Sequence, residues 1–238
     1  MSRSVVILAG GRSRRLGRSK PWVRLGGVSV LERVIAAGCR ALDLDDGGLT
    51  DGAGGVIVCV RDRAAFADRA TAEAVVLPDR VRIVEDDPGL AGPVSGLVAG
   101  LGAVSEGIVG VLAADLPFVD PALIVGLLEA LGASPQVDAV VPVVDGRDQS
   151  LCAAYRTSVV ETARLLGERP LARDPDQGRG PALADLLAAL SVRRVSSVGD
   201  LGPDRLAVMC RGIDTPEDLA WAESRVRGDP GEKGPDFG

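Results

Sequence analysis

Histidine is absent from this chain of 238 residues. Its absence excludes catalysis by Ser-His-Asp or Cys-His groups, histidine general bases and histidine metal ligands. Any chemistry must therefore use Asp, Glu, Lys, Arg and backbone groups. A phosphoryl-type transfer can proceed with those groups alone, because positioning and charge stabilisation dominate its catalysis.

Aromatic residues and net positive charge are also scarce. Phe, Trp and Tyr make up 3% of the chain, which argues against the aromatic stacking surfaces that bind single-stranded nucleic acids. The 27 Lys and Arg residues against 33 Asp and Glu residues give a formal net charge of −6. This balance argues against general binding to nucleic acids or anionic membranes, so we expect neither as a partner.

Long apolar runs and paired cysteines are missing as well. No apolar run reaches about 18 residues, so no membrane-spanning helix is predicted. No secretory signal precedes the first predicted strand, and we expect a cytoplasmic protein. The isolated cysteines, none in a Cys-x-x-Cys pair, are Cys39, Cys59, Cys152 and Cys210. Neither a zinc site nor a disulfide framework is indicated, and we expect buried, inert thiols.

What the chain does have is a strand followed by a glycine-rich, basic loop. Residues 5–9 are a short apolar run typical of a buried strand. Gly10 and Gly11 then let backbone N–H groups approach a bulky ligand, because glycine has no Cβ. Cations follow at Arg12, Arg14, Arg15, Arg18 and Lys20. This combination predicts a loop that binds the phosphates of a nucleotide, a small polyanion.

The spacing of the glycines does not match the commoner phosphate-binding motifs. Two residues separate Gly17 from Lys20, unlike Gly-x-x-x-x-Gly-Lys-Ser/Thr, and Gly10-Gly11 does not fit Gly-x-Gly-x-x-Gly. The pattern Leu-Ala-Gly-Gly-x-Ser-x-Arg-Leu-Gly-x-x-Lys instead resembles the signature loop of nucleotidyltransferases with a Rossmann-like fold. It is most similar to that of the molybdenum cofactor guanylyltransferase family.

The resemblance assigns this loop to nucleotide binding. It implies that the following residues contact the nucleotide: Leu8, Ala9, Gly10, Gly11 and Lys20. It also implies that Arg15 and Lys20 neutralise phosphate oxygens during catalysis. A glycine turn followed by a solvated basic loop is the simpler alternative.

Asp115 is the strongest single catalytic candidate. It follows the continuous apolar run at residues 108–113, which predicts a central parallel strand covered on both faces. A carboxylate at the end of such a strand can hold Mg²⁺, which bridges phosphate oxygens. The segment Ala-Asp-Leu-Pro-Phe resembles the metal-binding segment of the family. Capping of the turn before Pro117 is the alternative.

Asp86 and Gly92 form a second candidate group. Glu85 and Asp86 end the strand predicted at residues 81–85, and Gly92-Pro93 follows. This arrangement resembles the family's Glu-Asp followed by Gly-Pro-Leu-Ala-Gly, in which the aspartate contacts the guanosine. The resemblance therefore implies that Asp86 binds the nucleoside and that the backbone at Gly92 approaches it.

The chain departs from the family's pattern near its end. Residues 212–219 resemble Asn-x-Asn-Thr-Pro-Glu-Asp/Glu-Leu, but Gly212 stands for the first asparagine and Asp214 for the second. Asp214 either shares the metal with Asp115 or caps the following helix. The aspartate form also resembles related cytidylyltransferases, which weakens the assignment of guanine.

Two further positions are assigned by resemblance. Cys59 occupies the place where the family commonly has an asparagine that contacts the nucleotide, and we assign it to that site. Residues 148–152 resemble a segment on the acceptor side of the cleft. A surface turn explains that segment equally well.

Strands alternate with helices throughout the chain. Strands are predicted at 5–9, 55–60, 81–85, 108–113, 139–143, 151–156 and 192–195, and helices at 28–41, 64–74, 94–102, 121–131, 159–166, 182–190 and 215–226. This order predicts an α/β fold with a single Rossmann-like doubly wound, mainly parallel sheet flanked by helices. We expect one nucleotidyltransferase domain over residues 1–227, with a surface insertion at 43–55 and a disordered tail at 228–238.

The resemblance implies transfer of GMP from GTP to the phosphate of molybdenum-molybdopterin, with Mg²⁺ as cofactor and Asp115 and Asp214 as its ligands. Transient contact with molybdenum cofactor enzymes or carriers would follow. The alternatives are a molybdopterin cytidylyltransferase, a sugar-1-phosphate nucleotidyltransferase on the same fold, or a non-catalytic nucleotide-binding regulator.

Overall fold

The apolar runs of the sequence form a central sheet in the computed structural model, which describes residues 2–11, 19–44, 55–168 and 183–228. The strands are β1 Ser2–Leu8, β2 Arg24–Leu25, β3 Val28–Ser29, β4 Val56–Val60, β5 Val81–Glu85, β6 Gly107–Ala113, β7 Ala139–Val144, β8 Arg147–Asp148, β9 Cys152–Arg156 and β10 Val192–Val195. Their order in the sheet is β10-β7-β9-β6-β1-β4-β5, with β8 paired to β7 and with β2 and β3 in a separate hairpin.

Most strand pairs in the central sheet are parallel, as predicted. β1 pairs in parallel with both β4 and β6, and β5 extends this group beyond β4. β9 is antiparallel to its neighbours β6 and β7. The predicted α/β architecture is therefore confirmed, with β9 inserted antiparallel among the parallel strands and the short β8 antiparallel to β7.

Helices cover both faces of this sheet. They are α1 Val30–Leu44, α2 Arg63–Ala72, α3 Pro93–Gly102, α4 Pro121–Gly132, α5 Val159–Glu168, α6 Leu183–Ala189, α7 Pro203–Met209 and α8 Pro216–Gly228. α1 and α4 pack beside each other in one apolar layer, and α3, α5 and α6 pack in the other. Successive residues of β1 alternate between the layers, since Val5 and Ile7 enter one and Val6 the other.

The carboxyl ends of four parallel strands meet at one edge of the sheet. In β1, Leu8 lies in register with Cys59 of β4 and with Ala113 of β6, and Val60 lies in register with Glu85 of β5. Ligands bind at this edge in open α/β sheets. The residues that follow these strands are therefore brought together by the register itself.

Helix α1 begins later than the sequence suggests. The apolar spacing predicts a helix from residue 28, but Val28 and Ser29 form β3. The Ser29 hydroxyl accepts a hydrogen bond from the backbone N–H of Glu32 (3.2 Å), and the Glu32 carboxylate accepts one from the N–H of Ser29 (2.9 Å). This capping box fixes the start of the helix at Val30.

Three other elements were not predicted. β2 and β8 are two residues long, too short to show a hydrophobic period. β8 returns along β7 through a turn at Asp145 and Gly146, whose φ angles are +50° and +72°. Positive φ at both positions is the geometry of a tight hairpin turn. α7 spans Pro203–Met209, in a stretch for which no element was predicted.

The structure describes all four cysteines but only a small part of the predicted insertion and tail. The thiols of Cys39, Cys59, Cys152 and Cys210 are free and buried, as expected. No helix within residues 2–11, 19–44, 55–168 and 183–228 is long and apolar enough to cross a membrane. Most of the predicted insertion and all but the first residue of the predicted tail lie outside the described residues, as residues 45–54 and 229–238.

Helix α3 packs closely against the sheet at Gly100, and this contact can be tested by substitution. A Cβ at Gly100 would lie 2.4 Å from Val6 Cγ1 and 2.9 Å from Cys59 Sγ, whereas a Cβ at Gly102 would have nothing within 4 Å. We expect Gly100→Ala to lower the free energy of unfolding by about 1–3 kcal/mol through overpacking. The matched control Gly102→Ala should raise it by up to about 1 kcal/mol. Urea unfolding measures both, and equal effects would contradict the close packing of α3.

Candidate active site

A cleft of about 1600 Å³ opens at the edge where the parallel strands end. Of the residues predicted to form the site, the following line it: Leu8, Ala9, Gly10, Gly11, Lys20, Asp86, Gly92, Asp115 and Asp214. Arg15 belongs to residues 12–18, which lie outside the described part of the chain. The fold thus gathers residues that are up to about two hundred positions apart in sequence into one concave surface.

Lys20 lies between two carboxylates in this cleft. Its Nζ donates a hydrogen bond to Asp115 Oδ2 at 3.2 Å and another to Asp214 Oδ1. The Lys20 and Asp115 side chains are 17% and 23% exposed, and that of Asp214 is 59% exposed. A partly desolvated cation is therefore held by one inner and one outer carboxylate.

Backbone contacts fix this triad in place. Lys20 begins a single 3₁₀ turn whose Pro21 is buried, and Asp115 follows the end of β6. The carbonyl of Asp115 accepts a hydrogen bond from the N–H of Ile213 at 3.1 Å, which brings the chain around Asp214 to the cleft. A Cβ at Gly212 would lie 3.2 Å from Asp115 Oδ1, so the glycine leaves room for this carboxylate.

The ionisation of Lys20 and Asp115 depends on burial and on each other. Burial favours the neutral form of Lys20, but its hydrogen bond to Asp214 and the charges of both carboxylates outweigh this and raise its pKa. Burial also raises the pKa of Asp115, and the positive charge of Lys20 opposes the rise. Lys20 therefore remains protonated at neutral pH and offers a positive charge to an anionic ligand.

The structure separates the two alternative roles of Asp214. The hydroxyl of Thr215 accepts a hydrogen bond from the N–H of Asp218 (3.2 Å), and the Asp218 carboxylate accepts one from the N–H of Thr215 (3.0 Å). These two residues form the capping box of α8. The Asp214 side chain instead contacts Lys20 in the cleft. The capping alternative for Asp214 is therefore wrong, and its role as a metal ligand stays a prediction.

Asp86 differs from the acidic residues on either side of it. Glu85 accepts a hydrogen bond from the N–H of Arg63 at the start of α2, and Asp87 accepts one from the N–H of Gly89. The Oδ1 atom of Asp86 is buried and has no hydrogen-bond partner among the described residues. A buried acceptor without a donor is costly, and such groups often mark a ligand site.

The Asp86 carboxylate is enclosed by glycines. A Cβ at Gly10 would lie 2.2 Å from Asp86 Oδ2, and one at Gly96 would lie 3.0 Å from Oδ1. Burial raises the pKa of Asp86, and the charge of Arg61 opposes the rise. The site therefore gains a strong hydrogen-bond acceptor next to the start of the first loop.

Cys59 lies away from the cleft surface. Its side chain is fully buried between the sheet and α3, and it contacts the Gly100 position of that helix. Burial raises the pKa of its thiol to about 12. Arg61, two residues later, lines the cleft instead. Arg61 was not predicted as a site residue, although its place directly after a parallel strand was a usable signal.

Residues 5–179 match the model of the MobA-like NTP transferase domain. The chain belongs to the MobA-like NTP transferase family. It is 35% identical over 181 residues to the probable molybdenum cofactor guanylyltransferase of Chloroflexus aggregans, covering 72% of this chain and 75% of that protein. It is 32% identical over 231 residues to the molybdenum cofactor guanylyltransferase of Rhodobacter capsulatus, covering 93% and 95%.

A solved structure shows the same fold. The crystal structure of molybdopterin-guanine dinucleotide biosynthesis protein A from Archaeoglobus fulgidus aligns with a TM-score of 0.68 and 21% identity, covering 95% of this chain and 100% of that chain. This likeness confirms the fold of this MobA-like transferase. The family model and the guanylyltransferase relatives confirm the predicted nucleotidyltransferase class.

The opposite wall of the cleft in this MobA-like transferase comes from the chain between β7 and β9. Asp148, Gln149, Ser150 and Leu151 all line it. Asp148 is held by hydrogen bonds from the Arg194 guanidinium at 2.9 Å, and the carbonyl of Ser150 accepts one from the buried Tyr155 hydroxyl at 2.8 Å. Residues 148–151 are thus fixed by the fold.

The donor set of the cleft fits a magnesium ion. Asp115 and Asp214 place carboxylate oxygens on two sides of one cation, the ammonium of Lys20. No group of three or more His, Cys, Asp and Glu side chains clusters as a metal site in the part of the chain that the structure describes. Mg²⁺ requires no such cage, because it binds through one or two carboxylates together with waters and substrate phosphates.

Proposed function

We propose that this enzyme transfers GMP from GTP to the terminal phosphate of molybdenum-molybdopterin and releases pyrophosphate. The observation that supports guanine most directly is the buried, unpartnered carboxylate oxygen of Asp86 in the cleft. Guanine is the base whose Watson–Crick edge carries two adjacent donors, N1–H and the N2 amino group. A carboxylate accepts from both, and adenine, cytosine and uracil offer no such pair.

The triphosphate would lie over the first loop. Gly10 and Gly11 allow close approach of backbone N–H groups, and Lys20 supplies a positive charge that can move from the carboxylates to the phosphates. Arg15 would add a second cation from the same loop. These groups would neutralise the charge that develops on the leaving pyrophosphate.

Asp115 and Asp214 would hold Mg²⁺ in the proposed enzyme. The ion supplies a Lewis acid that polarises the phosphate oxygens around the reacting phosphorus. Both carboxylates line the cleft near the end of β6, so they would place this positive charge where the triphosphate is expected.

The reaction needs no general base from the protein. The terminal phosphate of the acceptor is ionised at neutral pH, and one of its oxygens attacks the α-phosphorus of GTP in line. The new P–O bond forms as the bond between the α-phosphorus and the bridging oxygen breaks, and pyrophosphate leaves with that oxygen. A mechanism of this kind is compatible with a chain that contains no histidine.

The acceptor would bind along the wall formed by residues 148–151.

The proposed reaction uses cellular GTP, so we place the enzyme in the cytoplasm. Its dinucleotide product would pass to molybdenum cofactor enzymes or carriers through transient contacts.

Calorimetric titration with GTP, CTP, ATP and UTP, each with and without Mg²⁺, tests the nucleotide. We expect Mg²⁺-dependent binding of GTP at least about tenfold tighter than that of the other three, because each well-made hydrogen bond to a charged group contributes about 1.5–3 kcal/mol. Preference for CTP would support the cytidylyltransferase alternative, which the aspartate at position 214 favours. Binding of GTP without pyrophosphate release in the presence of the acceptor would indicate a regulator.

A further inference from the structure

Arg61 and Asp86 occupy equivalent positions at the ends of neighbouring parallel strands. Val60 and Glu85 are in register, so Arg61 and Asp86 are the next residues on each strand. The N–H of Asp86 donates a hydrogen bond to the carbonyl of Val60 at 2.8 Å, which extends this pairing to the cleft. Both Arg61 and Asp86 line the cleft.

The side chain of Arg61 is not held by the described part of the fold. It is exposed, and it forms no hydrogen bond or ion pair with another residue in the described ranges. By contrast, the next residue, Asp62, caps α2 through a 2.9 Å hydrogen bond from the N–H of Ala65. Burial raises the pKa of Asp86, and the positive charge of Arg61 opposes this rise.

A guanidinium beside a carboxylate complements a continuous edge of guanine. The donors N2 and N1 are followed around the ring by the acceptors O6 and N7. A carboxylate satisfies the donors, and arginine binds O6 and N7 together in its favoured bidentate geometry. Adenine presents an amino donor where guanine presents O6, so the same arginine would disfavour adenine.

We propose that Arg61 is a specificity-determining residue that binds O6 and N7 of the guanine base while Asp86 binds N1 and N2. This inference rests on the proposed function, since it names a further residue of the same nucleotide site. Cys59 is buried beneath α3, and the first residue after it in the chain that lines the cleft is Arg61, directly after the end of β4.

The test compares GTP with 7-deaza-GTP, in which N7 is replaced by C–H, in calorimetric titrations with Mg²⁺. For the unaltered protein we expect 7-deaza-GTP to bind about tenfold more weakly. The Arg61→Ala variant should bind GTP more weakly than the unaltered protein does, and it should bind GTP and 7-deaza-GTP with equal affinity. Arg61→Lys keeps the positive charge but loses the planar guanidinium that binds two acceptors together. This variant should therefore also lose most of the preference for GTP over 7-deaza-GTP.

Arg63→Ala is the matched control. Arg63 is an exposed arginine that does not line the cleft, so its loss should leave both affinities unchanged. Equal binding of GTP and 7-deaza-GTP by the unaltered protein would overturn the inference and leave the GTP assignment intact. A discrimination that persists in Arg61→Ala, with both affinities lowered, would show an effect of charge on the phosphates and would also overturn it. Failure of the unaltered protein to prefer GTP over CTP would overturn the proposed function itself.

Discussion

Replacing Lys20 with alanine should lower the turnover of GMP transfer by about a hundredfold to a thousandfold. Lys20 is the cation that the described part of the cleft holds between Asp115 and Asp214, and its raised pKa keeps it charged. Its Nζ lies where the triphosphate is expected, so its loss leaves negative charge on the transferring group uncompensated. Because that charge grows in the transition state, kcat should fall more than KM rises.

Steady-state pyrophosphate release measures this effect. Arg80→Ala serves as the control, because it removes one positive charge from an ion pair with Asp43, and neither residue lines the cleft. Thermal unfolding of both variants establishes that they fold. Normal turnover in a folded Lys20→Ala variant would refute the catalytic role of this lysine.

Replacing Asp86 with asparagine should weaken GTP binding by about tenfold to a hundredfold. The amide retains one acceptor oxygen but presents an NH₂ group to one of the two guanine donors. Xanthosine triphosphate, which has an oxygen in place of the N2 amino group, should gain affinity in the same variant. Competition titrations of GTP and xanthosine triphosphate, on the variant and on the unaltered protein, measure this change in preference. A variant that still prefers GTP would show that Asp86 does not recognise the base.

The same substitution should stabilise the protein at neutral pH. The folded-state pKa of Asp86 lies above its ordinary value of 3.8, so the folded protein holds the ionised carboxylate at a cost. Asparagine removes that cost. The stabilisation should be fully present above the raised pKa and should vanish as the pH falls below 3.8, where the aspartate is protonated in both states. Thermal unfolding across this pH range measures the change, and a stabilisation that grows at low pH would contradict the sign.

The sequence predicts the central elements of the fold well because each has a strong local signal. The strand predicted at 81–85 matches β5, and that at 192–195 matches β10. The failures lie where local signals are short or compete. The apolar spacing from residue 28 continues into α1, and only the hydrogen bonds of Ser29 and Glu32 show where the helix begins.

The candidate site is predicted less completely, for a different reason. A motif can rank Asp86 above Glu85 and Asp87, but the hydrogen bonds that occupy the other two carboxylates depend on contacts with α2 and with the following turn. The position of Cys59 likewise depends on how closely α3 packs. The position of Arg61 after a strand was a usable signal, but its closeness to Asp86 depends on the register of β4 and β5, which the sequence does not show.

The antiparallel direction of β9 bears on how proteins of this kind diverge. Because β9 runs against β6, its amino end lies at the same edge of the sheet as the carboxyl end of β6, and β6 separates it from β1, β4 and β5. The wall proposed for the nucleotide therefore comes from the first half of the chain, and the facing wall at residues 148–151 comes from the second. Substitutions that alter the choice of acceptor can accumulate in one half while the nucleotide wall stays unchanged, so the two specificities can evolve as separate modules within a single sheet.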